Sequence, residues 1–131
     1  MALSCDMRIA REDARFGFPE ITNGWIPGWG GLPLLTRAIS YSQAAAMLFF
    51  GDRIGSSRAN DCGLVARVFA SDNIENSVET IVEGLAKHSP AAVTYLKSTL
   101  LHNNPDSIAA SSSFESEILC SLLSDQADET D

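Results

Sequence analysis

Basic residues are scarce and unevenly placed: only 9 of 131 residues are Lys or Arg, against 17 Asp or Glu, and no Lys or Arg lies beyond residue 97. The first 97 residues are nearly balanced, with 10 acidic side chains against 9 basic ones. No basic cluster forms, which argues against a nucleic-acid face. The tail "SDQADETD" is read as a solvated acidic end. Long apolar runs are also missing. No stretch approaches the roughly 18 residues that would span a bilayer, and "MALSCDMRIARED" lacks a basic segment followed by an apolar core. No membrane partner is expected, and a cytoplasmic setting is. Cys5, Cys62 and Cys120 form no CxxC pair and have no nearby His, so neither a zinc site nor a disulfide framework is indicated. They are expected as buried free thiols. His88 and His102 have no acidic or thiol partner at ligand spacing, and take surface or capping roles.

What is present fits one globular domain, with 45% apolar residues and a mean hydropathy of +0.03. Ala2 to Ile9 reads as a buried strand ended by the charged "RED", and Arg15 to Phe18 as a second short strand running into Pro19. Helical patterns follow in "LPLLTRAI" and "SYSQAAAMLFFG", the latter opening on a capping box from Ser40 to Gln43 and closing on Gly51. Ser56 or Ser57 can cap a short helix that Gly63 ends, and "LVARVFA" reads as a strand. Asp72 and Glu75 suggest a second capping box, for a helix with Ile74, Val78, Ile81, Val82 and Leu85 on one core-facing stripe. Ser89 and Pro90 start another helix, with Val93, Leu96 and Leu100 expected inward. A last helix is expected to carry Phe114, Ile118, Leu119 and Leu122 on an apolar seam.

The stretch "FGFPEITNGWIPGWGG", residues 16–31, carries the candidate chemistry. Its glycines match neither the GxxxxGK[ST] phosphate loop nor the GxGxxG dinucleotide fingerprint. Gly55-Ser56-Ser57-Arg58-Ala59 fails as a nucleophile elbow. What remains is Glu20 on a constrained turn beside apolar and aromatic residues, a setting where desolvation suits a carboxylate to general acid or base work. The glycines offer unobstructed backbone N–H groups. A turn with a solvated glutamate fits these residues equally well.

"ALSCDMRIAREDARFGFPEITNGWIPGWGG", "GDRIGSSRANDCGLVARV" and "SPAAVTYLKSTL", in this order, resemble the enoyl-CoA hydratase/isomerase (crotonase) superfamily over roughly residues 1–120. The resemblance is to the C-terminal half of that family. It implies an α/β fold, mostly α in this chain: residues 1–70 as the last few strands of a crotonase-like ββα spiral, and residues 71–131 as a helical trimerisation region. It further implies an acyl-CoA substrate, no metal or redox cofactor, and a homotrimer or hexamer for the full-length parent. Glu20 falls on the family's catalytic Pro-Glu position, and Gly28 on the backbone N–H that helps to hold the reacting water. The family's second glutamate and both oxyanion-hole donors would lie ahead of Met1, and its final basic helix beyond the acidic tail. Leu32-Pro33-Leu34-Leu35 stands where many relatives carry Thr-Gln-Arg-Leu. The implied activity is hydration of a 2-enoyl-CoA through an enolate. A Δ3,Δ2-enoyl-CoA isomerase and a catalytically inactive assembly module are the alternatives.

Overall fold

Strand β1 (Ile9–Arg11) has a distant partner, because the Arg8 side chain reaches across 56 residues to donate from Nε to the Leu64 carbonyl at 2.6 Å. The computed structural model, which describes residues 2–102, pairs β1 in parallel with β4 (Arg67–Phe69), Ala10 opposite Val68. Backbone bonds from Ala66 to the Arg8 carbonyl and from Glu12 to the Phe69 carbonyl extend the ladder at both ends. Strand β2 (Arg15–Phe16) pairs antiparallel with β3 (Ile54–Gly55). Among the described residues each ladder has two strands.

Five α-helices accompany them among the described residues: α1 (Gly31–Ala38), α2 (Tyr41–Phe50), α3 (Ser56–Asp61), α4 (Ile74–Ala86) and α5 (Pro90–His102). By packing, the chain divides into two units, Met1–Glu79 and Thr80–Asp131. The first unit holds the core. Ala10 of β1, Leu35 of α1 and Ile39 just after it, Ala44 and Met47 of α2, Ala59 of α3, and Leu64 and Val65 before β4 are buried together. Leu35 and Val65 are its largest fully enclosed side chains. Ladder and helices meet there because each contributes one apolar face to the same interior.

Local chemistry explains the helix ends. Pro33 sits in the first turn of α1, where its missing N–H costs nothing. The Ser40 hydroxyl accepts from the Gln43 N–H and caps α2, but the reciprocal half of the expected box is not made. Gln43 Oε1 instead accepts from Arg58 Nη2 at 2.9 Å. Gly51 closes α2 with φ 67°, and a Cβ there would come within 3.0 Å of the side chains of Ile21 and Thr22. That site requires glycine both for its backbone angle and for close approach. The Ser89 hydroxyl accepts from the Ala92 N–H ahead of Pro90, as the sequence indicates.

Several expectations are corrected. Residues 2–8 are not a strand: Ala2–Ser4 forms a 3-10 turn, and only three residues, starting at Ile9, find a ladder partner. Cys5 is exposed and Cys62 half-buried, so neither is a buried thiol. Ser56 lies inside α3 rather than capping it, and its hydroxyl donates to the Glu12 carbonyl at 2.5 Å. Helix α4 begins at Ile74, so Asn73 rather than Asp72 immediately precedes it, and the Asn73 carbonyl accepts from the Ser77 N–H. The stripe on α4 is not core, since Val78, Val82 and Leu85 are exposed. Val93, Leu96 and Leu100 of α5 are exposed as well. Amphipathic spacing sets which side of a helix is apolar, but burial needs a second surface against it. Phe114, Ile118, Leu119, Leu122 and Cys120 lie outside the described residues. No helix among the described residues is long and apolar enough to cross a membrane.

Candidate active site

Glu20 is the second residue of a 3-10 turn, Pro19–Asn23, that begins after Gly17 and Phe18 have carried the chain out of β2. Proline starts the turn, having no N–H to satisfy there, and Gly24 ends it in the left-handed region with φ 74°. The Glu20 and Ile21 carbonyls are used within the turn, accepting from the N–H groups of Trp25 and Gly24. Its backbone is thus pinned while its side chain is left unpaired. Among the described residues, Oε2 of Glu20 is the buried side-chain oxygen or nitrogen without a hydrogen-bond partner. A buried carboxylate oxygen in that condition carries a desolvation cost that a bound donor would remove. The turn rests on α2, where Gly51 admits Ile21 and Thr22.

Eight residues on, the chain turns back through Gly28–Gly31, the Gly31 N–H donating to the Gly28 carbonyl at 3.0 Å. Both central residues are left-handed: Trp29 has φ 54° and Gly30 φ 76°. Turns of this hand favour glycine or asparagine at both places. A tryptophan there costs on the order of 1–2 kcal/mol relative to a right-handed conformation. Its indole buries nothing in return, being fully exposed. Among the described residues no acceptor takes the Gly28 N–H, and the space where a Gly28 Cβ would stand is open. The turn is held close to the Phe18 ring: a Cβ on Gly31 would lie 3.1 Å from Cε1 of Phe18 and 3.4 Å from Pro27.

A cavity of about 640 Å³ opens beside this turn. Phe16, Phe18, Leu34, Met47 and Leu64 give it apolar walls, and Gly28, Trp29 and Gly31 border it. Among the described residues its charged lining groups are Arg8 and Arg15, with no carboxylate. Arg8 is fixed by its bonds to the Leu64 carbonyl and, from Nη1, to the Cys5 carbonyl at 2.9 Å. The volume and apolar character suit a small organic ligand. The structure therefore places Gly28 on the cavity, whereas Glu20 lies on the adjoining turn and does not line it. Trp25 and Ile26 are exposed, so the aromatic surroundings expected for Glu20 are not supplied by Trp25.

Sequence reasoning missed Arg8, Arg15 and the conformation of Trp29. The last was signalled by glycines on both sides of the tryptophan in "GWGG". The arginines gave no local signal, because Arg8 is positioned by a carbonyl far along the chain. Among the described residues no group of three His, Cys, Asp or Glu side chains comes together as a metal site.

Comparison with known proteins gives this geometry a context. The sequence model of the enoyl-CoA hydratase/isomerase family matches residues 1–129. A short-chain-enoyl-CoA hydratase of Clostridioides difficile is 36% identical over 128 residues, covering 96% of this chain and 83% of its own length. The 2,3-dehydroadipyl-CoA hydratase of Escherichia coli K12 is 36% identical over 122 residues, which are 93% of this chain and 48% of that protein. The crystal structure of an enoyl-CoA hydratase subunit from Geobacillus kaustophilus HTA426 superposes with a TM-score of 0.87 at 30% identity, over 94% of this chain and 48% of the other. The chain thus spans about half the length of the Escherichia and Geobacillus proteins. With nearly its whole sequence matched and its fold shared, the chain belongs to the enoyl-CoA hydratase/isomerase family.

Proposed function

We propose that this chain is the C-terminal half of an acyl-CoA hydratase, contributing Glu20 as the acid/base group and the Gly28 N–H as the holder of the reacting water. The observation that carries this reading is the buried, unpartnered Oε2 of Glu20, close in sequence to a turn with a free N–H on the cavity. In the reaction, Glu20 takes a proton from water as the water oxygen bonds to C3 of a 2-enoyl thioester. The C2–C3 π electrons move toward the thioester oxygen, and the enolate collapses as the protonated Glu20 returns the proton to C2. Two backbone N–H groups from the other half of the enzyme hold the enolate oxygen in this reading. No metal or redox cofactor is needed, since the CoA thioester is itself the substrate. A cytoplasmic setting and assembly as a trimer or hexamer belong to the same proposal.

The exposed apolar side chains of α4 and α5 favour a second reading, in which the chain serves as a non-catalytic assembly module. Supplying the chain with the N-terminal half of the Escherichia coli relative, then adding 2-enoyl- and 3-enoyl-CoA separately, tests both. Hydratase action yields a 3-hydroxyacyl-CoA from the 2-enoyl thioester. Migration of the double bond in the 3-enoyl thioester without added water would make the chain an isomerase component. Co-assembly without turnover of either substrate would support the module.

A further inference from the structure

Trp29 combines a strained backbone with an unburied indole at the border of a cavity, and packing among the described residues explains neither. Its φ of 54° lies where glycine or asparagine is favoured, and its side chain is fully exposed. It directly follows Gly28, and the cavity it borders has the rings of Phe16 and Phe18 among its walls. We infer that Trp29 is a specificity-determining residue whose indole stacks against a flat, conjugated acyl group, so that the site takes 2-enoyl thioesters bearing an aryl substituent at C3.

This inference rests on the acyl-CoA reading above and adds the class of acyl group. The conjugated system of a 2-enoyl thioester is planar, and an aryl group at C3 extends that plane by one ring. Offset stacking and edge-to-face contact with an indole or phenyl ring favour such a group over a short aliphatic chain. Arg8 and Arg15, the charged groups that line the cavity among the described residues, suit a thioester that carries phosphates elsewhere. The backbone cost at Trp29 is then met when the ligand is bound.

The test is calorimetric titration of the 131-residue chain with cinnamoyl-CoA, crotonyl-CoA and free CoA, repeated on Trp29→Gly and Trp29→Phe. Glycine suits the left-handed turn, so Trp29→Gly should fold at least as well as the parent, which a melting curve checks. The expected result is a loss of about 2- to 10-fold in affinity for cinnamoyl-CoA in Trp29→Gly, with crotonyl-CoA and CoA unchanged and most of the loss restored by Trp29→Phe. Equal weakening of all three ligands, no change for cinnamoyl-CoA, or no binding of any ligand by the parent chain would each overturn the inference. The hydratase reading fails separately, if turnover is indifferent to Glu20.

Discussion

In the first unit, Leu35, Ala44 and Ala59 are entirely shut off from solvent, whereas no described residue of α4 or α5 is buried. Both regions have apolar residues at helical spacing, and both have a serine cap ahead of a helix, at Ser40 and Ser89. They differ in what stands opposite the apolar face. In the first unit β1, α1, α2 and α3 turn their apolar sides to one interior, and the neighbourhood of Glu20 and Gly28 is built upon it. In α4 and α5 the leucines and valines face solvent. A helical stripe is therefore a statement about the helix alone, and its contribution to stability depends on a second surface.

The largest expected contrast is between two leucines. Leu35→Ala empties a fully enclosed site and should lower unfolding free energy by about 2–5 kcal/mol. Leu96→Ala, at a side chain 62% exposed, should stay within about 0.5 kcal/mol. Urea unfolding of the two variants measures the difference, and similar losses would mean that α5 has a buried face after all. A smaller effect is expected at the caps. Ser40→Ala should cost about 1 kcal/mol in the same experiment. Ser89→Ala should loosen the first turn of α5, read as faster amide exchange there.

The smallest effect concerns the Arg11–Asp13 pair, 2.9 Å apart and exposed on both sides. The hydrogen bond from Arg11 holds the Asp13 carboxyl below its ordinary value, outweighing the opposing effect of desolvation. A lowered folded-state pKa gives stability that is present above the unfolded value, roughly 3.9, and is lost as pH falls through the folded one. Asp13→Asn should therefore leave the melting temperature at pH 7 slightly lower and change nothing at the acidic end of that window. Solvent screening keeps the difference small.

The parts of this structure legible in the sequence are those set by neighbours along the chain. Ser40 and Gly51 bracket α2, Ser89 and Pro90 open α5, and the pattern of "LPLLTRAI" becomes α1. Features set by distant contacts were not legible. The strand expected over Ala2 to Ile9 forms instead at Ile9–Arg11, where it meets Arg67–Phe69, and apolar composition could not reveal where that pairing lies. Ser56 resembles a cap, but its hydroxyl is claimed by Glu12, 44 residues away. At the candidate site, the turn that carries Glu20 and the glycine turn that starts at Gly28 were legible in their local residues. The cavity was not, because Arg8, Phe16, Leu34, Met47 and Leu64 reach it from separate segments.

The most direct test of the account is the rate of crotonyl-CoA hydration by the chain paired with the N-terminal half of its Escherichia coli relative, measured for the parent, Glu20→Gln and Leu96→Ala. The account predicts a fall of about 10²- to 10⁴-fold for Glu20→Gln, with assembly intact and Leu96→Ala near the parental rate. Undiminished hydration by a well-assembled Glu20→Gln complex would contradict it.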